Sequence, residues 1–406
     1  MSNRLLASNQ TTARLGRALA PGIVVLCGVI YLAGATDSRP QTQALGRAES
    51  QATQTESSAA GALAQWRSGL YPGNRYVGSQ ACAQCHAYQA DTQAATPMAR
   101  ALESGSDGRI LSAHTQLTFR NGPYNYEITN KGGHGNYSVS DGANAISEPI
   151  LYSFGEGVAG QTYIFRHNGT YYESRVSFYQ ATQNLDITIL HPQSIPGSLE
   201  AALGRPLSQE AAYGCFGCHS TPAAGQQRFD LSHLAPGVGC ERCHGPGENH
   251  IAAVKGGKLN NLQIFNPGKL DAIDQMQEFC GECHESFDQV NQLSDQGGLN
   301  NIRFQPYRMF KSPGHLTDDR RIACIACHDP HGKSSSDAAF YDAKCLACHL
   351  SNSGDAKSAT RSSPPCPVSK QQCVTCHMPK IELPEMHYRF TDHWIRIVKP
   401  GNPVPK

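Results

Sequence analysis

Apolar and polar residues alternate most regularly between Leu117 and Ile189, where aromatic and β-branched side chains are also concentrated. Within this stretch, TYIFRHNGTYYESRVSFY places Asn168 and Gly169 between two alternating runs, which is a strong hairpin signal. The pieces LTFR, YNYEIT, NYSVS and PILYSF are strand-like for the same reason. The pattern predicts a small antiparallel β insert at residues 113–190, a stretch that contains no cysteine.

After His191 the chain changes to short helical pieces separated by glycine and proline, without a sustained apolar repeat. Such weak patterning provides too few clustered apolar side chains for an ordinary helical core. We therefore expect a mostly α and irregular scaffold, in which a bound group fills much of the interior.

The first 35 residues have the parts of a secretory signal: early arginines, an apolar run near residues 23–32 and the small residues AGA. The run is shorter than the roughly 20 residues of a spanning helix, which favours cleavage over an uncleaved N-terminal anchor. Residues 36–73 are rich in Gln, Ala, Ser and Thr and predict a flexible spacer. We expect a periplasmic or otherwise extracytoplasmic protein, with an N-terminal membrane tether as the alternative to cleavage.

The 406 residues include 16 cysteines, whereas only 39% of the chain is hydrophobic and 17% is charged. So many cysteines are unusual for a cytosolic enzyme and indicate disulfides, metal sites or covalent cofactors. The formal charge of +1 at pH 7 gives no reason to expect nucleic acid as a partner. The spacing of the cysteines therefore has to decide their role.

Seven times the chain reads Cys-x-x-Cys-His, the attachment signature of c-type haem. The two thiols add to the vinyl groups on one edge of the porphyrin, and the histidine supplies an axial nitrogen to iron. Zinc ribbons and redox dithiols also use paired cysteines, but a histidine after every pair favours seven covalently bound haem c groups. The attachment cysteines are Cys82, Cys85, Cys215, Cys218, Cys240, Cys243, Cys280, Cys283, Cys324, Cys327, Cys345, Cys348, Cys373 and Cys376. The proximal ligands are His86, His219, His244, His284, His328, His349 and His377.

These motifs divide the chain after the spacer into a first haem segment at 74–112, the β insert at 113–190 and a six-haem domain at 191–406. Six haems in the last segment leave little room for other bulk, so neighbouring rings are expected close enough for electron tunnelling. The haem propionates would also make the loaded protein acidic, although the pI of the sequence is 7.6.

Histidines outside the motifs could supply the second axial ligand, and bis-histidine iron has no open site, which favours electron transfer. His250 is favoured because the Gly-Pro-Gly breaker before it lets the chain turn from one haem toward another. His331 lies three residues after His328 and could ligate only a neighbouring iron, or else contact a propionate. Met98 could be a thioether ligand or fill the core. The candidate distal ligands are His250, His191, His233, His315, His331, His387, His393 and Met98.

The motifs and their flanks resemble the multihaem cytochromes c grouped with the hydroxylamine-oxidoreductase partner cytochromes of bacterial respiratory chains. The matching segments are YVGSQACAQCH with TPMAR, GVGCERCHGPGENH, IACIACHDPH, and CVTCHMPK followed by FTDH, over most of residues 76–396. The resemblance implies a small helical scaffold around packed haem pairs and electron transfer in the periplasm. Relatives often carry histidine at the position of Met98, which leaves the ligation of the first haem open.

Two main functions fit this set of motifs, and a third, a polymerising conduit, would require haems exposed at both ends of the subunit and an interface that the β insert could supply through an edge strand. The first is an electron relay without substrate turnover, which exchanges electrons with donor and acceptor redox proteins. The second is a multihaem reductase of a small nitrogen or sulfur oxyanion, acting at one haem with an open distal side. Such a haem is often marked by lysine in place of the motif histidine, and no CxxCK occurs in this chain. The sequence therefore favours the relay.

Overall fold

The computed structural model describes residues 73–105, 108–226, 229–313, 321–349, 366–398 and 401. The predicted secretory signal or anchor at 1–35 and nearly all of the predicted spacer at 36–73 lie outside these residues. Within the described segments, no helix is both long enough and apolar enough to cross a membrane.

The largest element of the described chain is one antiparallel sheet of nine strands. The strands are β1 (Leu102–Ser104), β2 (Gln116–Asn121), β3 (Tyr124–Lys131), β4 (His134–Ser140), β5 (Ala145–Phe154), β6 (Gln161–His167), β7 (Thr170–Tyr179), β8 (Asn184–Ile187) and β9 (Gly204–Pro206). Strands β2 to β8 are neighbours in chain order, while β1 pairs with β5 and β9 pairs with β7. Strand β2 also approaches β8, so the sheet nearly closes on itself.

The prediction of a mostly α and irregular, haem-packed scaffold with only a small β insert is wrong. The curled sheet buries its own cluster of side chains, which includes Tyr126, Tyr137, Tyr163, Phe165 and Val176. This part of the chain therefore has a core made of side chains and needs no bound group to fill it. The alternating sequence pattern also underestimates the extent of the sheet. The last seven residues of β7 are all buried, so they do not alternate between buried and exposed positions.

The predicted hairpin at Asn168 and Gly169 is confirmed. These two residues connect β6 and β7, which pair from His167 and Thr170 outward. Both turn residues have positive φ angles, 49° for Asn168 and 81° for Gly169. Asn-Gly is the pair that such a two-residue turn favours, because both residues adopt positive φ at low cost.

The described helices are short, which explains why the sequence shows no long apolar repeat. They are α1 (Ser79–Ala83), α2 (Ala87–Ala94), α3 (Arg109–Ala113), α4 (Leu199–Leu203), α5 (Gln209–His219), α6 (Cys240–His244), α7 (Glu248–Lys255), α8 (Ala272–Asp274), α9 (Cys280–His284), α10 (Phe287–Asn291), α11 (Gln305–Phe310), α12 (Cys324–Cys327), α13 (Ala338–His349) and α14 (Cys373–His377). A π-helical turn at Gln275–Phe279 joins α8 to α9.

Three 3-10 segments and two small sheets complete the described structure. The 3-10 segments are Pro267–Lys269, Ser294–Arg303 and Pro384–Met386, and the second of these is kinked at residues 295–298. The small sheets pair β10 (Ser220–Pro222) with β11 (Leu234–Pro236), and β12 (Lys380–Leu383) with β13 (Tyr388–Thr391).

The second haem motif is fixed against the large sheet by an aromatic contact. Phe216, between the two cysteines of that motif, packs edge-on against Tyr152 and Phe154 of β5, with ring centres 5.0 and 5.1 Å apart. Phe216 is almost completely buried. The sheet therefore supports the haem motifs on its outside while its own core lies within.

Candidate haem-binding site

The motif side chains line a cavity of about 2000 Å³. Cysteines or histidines of the first five motifs contribute to its wall, together with His250, His331 and Met98. Pockets for single drug-sized ligands are usually roughly 300–1,000 Å³. The cavity is therefore large enough for more than one bulky group.

Short helices explain how five of the seven motifs present their three functional side chains. Helices α6, α9 and α14 each span a complete motif, and α5 and α13 end on the histidine of theirs. Residues three and four positions apart share one face of a helix, so both thiols and the imidazole point the same way. This local geometry is what attachment to one porphyrin edge and ligation of its iron require.

The cysteines are in different states in this structure. Cys215 is disulfide-bonded in this structure. The other described motif cysteines form no disulfide, and the side chain of Cys348 lies outside the described part of the molecule.

Three motif histidines each face a second histidine at a similar distance. The ring centres of His86 and His250 are 6.4 Å apart, and those of His244 and His331 are 6.0 Å apart. His328 faces a histidine from beyond the last motif, His393, at 6.2 Å. Two imidazoles bonded at about 2.0 Å to opposite sides of one metal ion place their ring centres roughly 6 Å apart. The three pairs therefore fit the spacing of bis-histidine iron.

Hydrogen bonds fix the tautomer of several of these histidines. Nδ1 lies 2.7–3.0 Å from a backbone carbonyl oxygen in His219, His244, His250, His377 and His393. A carbonyl oxygen only accepts, so Nδ1 must carry the proton and Nε2 keeps its lone pair for a metal. Such a bond from the second ring nitrogen is the usual support of a metal-binding histidine.

Burial favours the neutral form of five histidines at the site, and metal binding also requires that form. It lowers the pKa of His219, His244, His284 and His328. For His393 the same cause lowers the pKa to about 4.

The other distal candidates are placed differently. Nε2 of His191 pairs with Glu173 at 3.0 Å, and Nε2 of His387 pairs with Asp186 at 2.8 Å, so ligation through that nitrogen would require these pairs to break. His233 is exposed and contacts a nearby aspartate through Nδ1. Met98 lines the cavity, and His315 lies outside the described residues.

Two proximal candidates have different surroundings. The ring of His219 packs against Phe154, with ring centres 5.0 Å apart. Among the described residues, no imidazole stacks opposite His219 or His284 in the way His250 faces His86.

The first and third motifs are joined by a buried carboxylate that sequence reasoning missed. Glu241 accepts hydrogen bonds from the backbone N–H groups of Val77 and Gly78, just before the first motif, at 2.9 and 2.7 Å. The thiols of Cys82 and Cys240 also contact each other, which raises the pKa of Cys82 and lowers that of Cys240.

The fourth motif contacts three others. Sγ of Cys218 lies 3.9 Å from the backbone oxygen of Glu282, which connects the second motif to the fourth. The thiols of Cys280 and Cys324 contact each other, which connects the fourth to the fifth. The fourth motif also lies close to the third. Burial raises the pKa of Cys243 most, and the charge of Cys283 raises it further.

The last three motifs form a second group of neighbours. The ring of Tyr341, on the helix of the sixth motif, lies 5.7 Å from that of His328. The carboxylate of Asp342, on the same helix, accepts hydrogen bonds from the backbone N–H groups of Gln372 and Cys373 at 2.6 and 2.7 Å. The fifth, sixth and seventh motifs are therefore adjacent along the chain and in space.

A half-buried guanidinium also fits a bound haem. Arg303 lines the cavity, and its Nε has no hydrogen-bond partner among the described residues. Burial lowers the pKa of Arg303, while Glu285 acts in the opposite direction. A haem propionate is an anion of the kind that such a group binds.

A comparison with known protein families finds a match at two of the motifs. A sequence profile of the family described as cytochrome c554 and c-prime matches residues 177–245, which include the second and third motifs. No curated protein matches this chain significantly. One solved structure, described as the outer cell wall cytochrome OcwA, matches with 15% identity and a TM-score of 0.41, over 80% of each chain.

The family match over residues 177–245 and the seven attachment motifs support one class of protein, the multihaem c-type cytochromes, which hold haem c covalently and transfer electrons.

Proposed function

We propose that the protein is an extracytoplasmic electron relay with seven covalently bound haem c groups. The observation that carries the proposal is the contact between motifs, which links them into one connected set. A chain of redox centres needs such contacts, because electron tunnelling weakens steeply with distance. Donor and acceptor are other redox proteins, in keeping with the resemblance to hydroxylamine-oxidoreductase partner cytochromes.

The contacts suggest an order that differs from the order in sequence. The first haem would lie beside the third, the third beside the fourth, and the fourth beside both the second and the fifth. The fifth haem would then lead to the sixth and seventh. Exposed cysteines at the first and seventh motifs, Cys85 and Cys376, make these two haems the natural places for exchange with partner proteins.

The facing histidine pairs support bis-histidine iron at three haems. His250 would complete the first haem, His331 the third and His393 the fifth. When bound, the haems supply the reversible exchange of one electron between ferric and ferrous iron. The protein's part is to hold two imidazoles in line and to keep substrates away from iron.

Two measurements on one oxidised sample test the relay. Pyridine haemochrome analysis with protein quantification should give seven haems per chain, and electron paramagnetic resonance should show low-spin iron for the three paired haems. Fewer than seven haems would contradict the count. A high-spin signal from more than four haems would contradict the paired ligands.

A reductase of a small nitrogen or sulfur oxyanion is the second candidate function. It is favoured by His219 and His284, which have no facing imidazole among the described residues. Nitrite or hydroxylamine added to the oxidised protein should shift a high-spin signal if either iron is open. An unchanged spectrum would leave the relay as the function.

A further inference from the structure

A buried ion pair lies beside the last haem motifs. Arg308, on α11, donates from Nε and Nη2 to the two carboxylate oxygens of Asp392, at 2.8 and 2.7 Å. The relative exposures are 1% for Arg308 and 0% for Asp392. A paired geometry of this kind fixes the direction of both side chains as well as their distance.

The pair holds one short segment, residues 392–396, in place. The carboxylate of Asp392 also accepts hydrogen bonds from Nη1 of Arg396 at 2.6 Å and from the backbone N–H of Trp394 at 3.0 Å. The indole ring of Trp394 lies 5.1 Å from the guanidinium carbon of Arg308 and 4.8 Å from that of Arg396. The segment is neither helix nor strand, so side-chain contacts provide its order, and Ser312 adds two: its Oγ donates to the backbone oxygen of His393 at 3.4 Å and accepts from the backbone N–H of Ile395 at 2.9 Å.

The same segment contacts two haem-binding histidines. His393 belongs to it and faces His328 of the fifth motif, with ring centres 6.2 Å apart. The backbone oxygen of Arg396 lies 2.9 Å from Nδ1 of His377, the proximal histidine of the seventh motif. The position of Asp392 therefore affects the ligands of two neighbouring irons.

We propose that Arg308 is a positioning residue, which holds segment 392–396 so that His393 reaches the iron of the fifth haem and His377 keeps its ring orientation. The inference rests on the proposed role of His393 as a distal ligand. A ligand in an irregular segment loses conformational freedom when it binds iron, and a segment ordered beforehand has less freedom to lose. Without Arg308, Asp392 keeps Arg396 as a partner but loses the contact to α11.

The test compares Arg308→Met with Arg389→Met in the complete haem-loaded protein. Arg389 is exposed on β13, close in sequence to the segment, and is the matched control. Arg308→Met should convert one haem from low-spin to high-spin in the electron paramagnetic resonance spectrum. The reduced variant should also bind carbon monoxide at one additional haem, and added imidazole should restore the low-spin signal. Arg389→Met should match the original protein in all three measurements.

His393→Ala separates a failure of this inference from a failure of the proposed ligand. If His393→Ala opens one haem and Arg308→Met does not, the positioning role is overturned while the ligand assignment stands. If His393→Ala leaves the low-spin signal unchanged, the ligand assignment is overturned, and the positioning role with it.

A second variant decides the matter if Arg308→Met yields no loaded protein. Arg308→Lys keeps the positive charge but cannot form the paired contact with Asp392. It should show a partial high-spin signal that imidazole removes. A signal identical to that of the original protein would overturn the positioning role.

Discussion

The carboxylate of Glu241 accepts a hydrogen bond from the backbone N–H of Gly78 at 2.7 Å, although the two residues are 163 positions apart. The same carboxylate accepts from Val77 and from Gly247, at 2.9 and 2.8 Å. Glu241 lies inside the third haem motif, and Gly78 precedes the first. One side chain therefore fixes the distance between two motifs that are far apart in sequence.

Glu241→Ala should destabilise the protein, because three backbone N–H groups lose their acceptor. A buried donor without a partner costs about 1–3 kcal/mol, so we expect a loss of at least about 2 kcal/mol in the free energy of unfolding. Chemical denaturation followed by circular dichroism measures this loss. Glu248→Ala, at the exposed start of α7, is the control and should cost less than about 1 kcal/mol. Equal losses in the two variants would contradict the role of Glu241.

Asp141, in the loop between β4 and β5, makes the stability of the folded protein depend on pH. Its carboxylate accepts hydrogen bonds from the backbone N–H groups of Asn144 and Ala143, which lower the pKa of Asp141. A lowered carboxyl pKa stabilises the folded state above the unfolded pKa of about 3.9, and this stabilisation is lost as pH falls through the folded pKa.

Asp141→Asn removes the charge and should therefore cost most near neutral pH. The difference in the free energy of unfolding between the original protein and the variant should shrink as pH falls below about 4. Denaturation at a series of pH values measures it. Asp91→Asn, on the exposed side of α2, is a substitution of the same kind outside the sheet. A difference for Asp141→Asn that stays constant with pH would contradict the assignment.

The sequence predicts the haem motifs well and their arrangement poorly. Two thiols must bond to one porphyrin edge, and a histidine must bind the iron of the same haem. This requirement fixes the spacing of the three residues within five positions. The neighbours of each motif depend on contacts between distant residues, such as Glu241 with Gly78 or Arg308 with Asp392. Glu241 occupies one of the x positions of its Cys-x-x-Cys-His motif. The neighbouring sequence does not indicate that its side chain connects two motifs.

The same contrast applies to the distal ligands and the sheet. The breaker before His250 indicates a chain that turns toward another haem, and the structure places His250 opposite His86. Nothing in the sequence distinguishes His393 from His387, because the partners Thr391 and Asp186 become evident only after folding. The extent of the sheet depends on the contact between β2 and β8. The alternation of residues along a single strand carries no information about that contact.

His250→Met should change the potential of the first haem while leaving its iron low-spin. A thioether in place of one imidazole raises the reduction potential, by a fraction of the roughly 0.8 V range that axial ligands span. A spectroelectrochemical titration should show one haem transition moving upward. His134→Met, at an exposed position outside the candidate ligands, should leave the titration unchanged. If His250→Met also leaves every transition in place, His250 is not a ligand.

Gly281 gives the most direct test of the fourth motif as the meeting point of several haems. The π-helical turn before this motif brings the backbone oxygen of Met276 so close to Gly281 that a Cβ added at residue 281 would overlap it. Gly281→Ala must therefore displace the helix that carries Cys280 and His284. Overpacking of this kind costs about 1–3 kcal/mol.

Gly217→Ala is a matched control, because Gly217 also lies between the two cysteines of a haem motif, and a Cβ added there would meet no described atom within 4 Å. Gly281→Ala should lower the melting temperature and slow the reduction of the seventh haem by a donor that reduces the first, since the proposed path between them passes the fourth. Gly217→Ala should leave both nearly unchanged. Unaltered transfer in Gly281→Ala, with the expected loss of stability, would mean that electrons bypass the fourth haem.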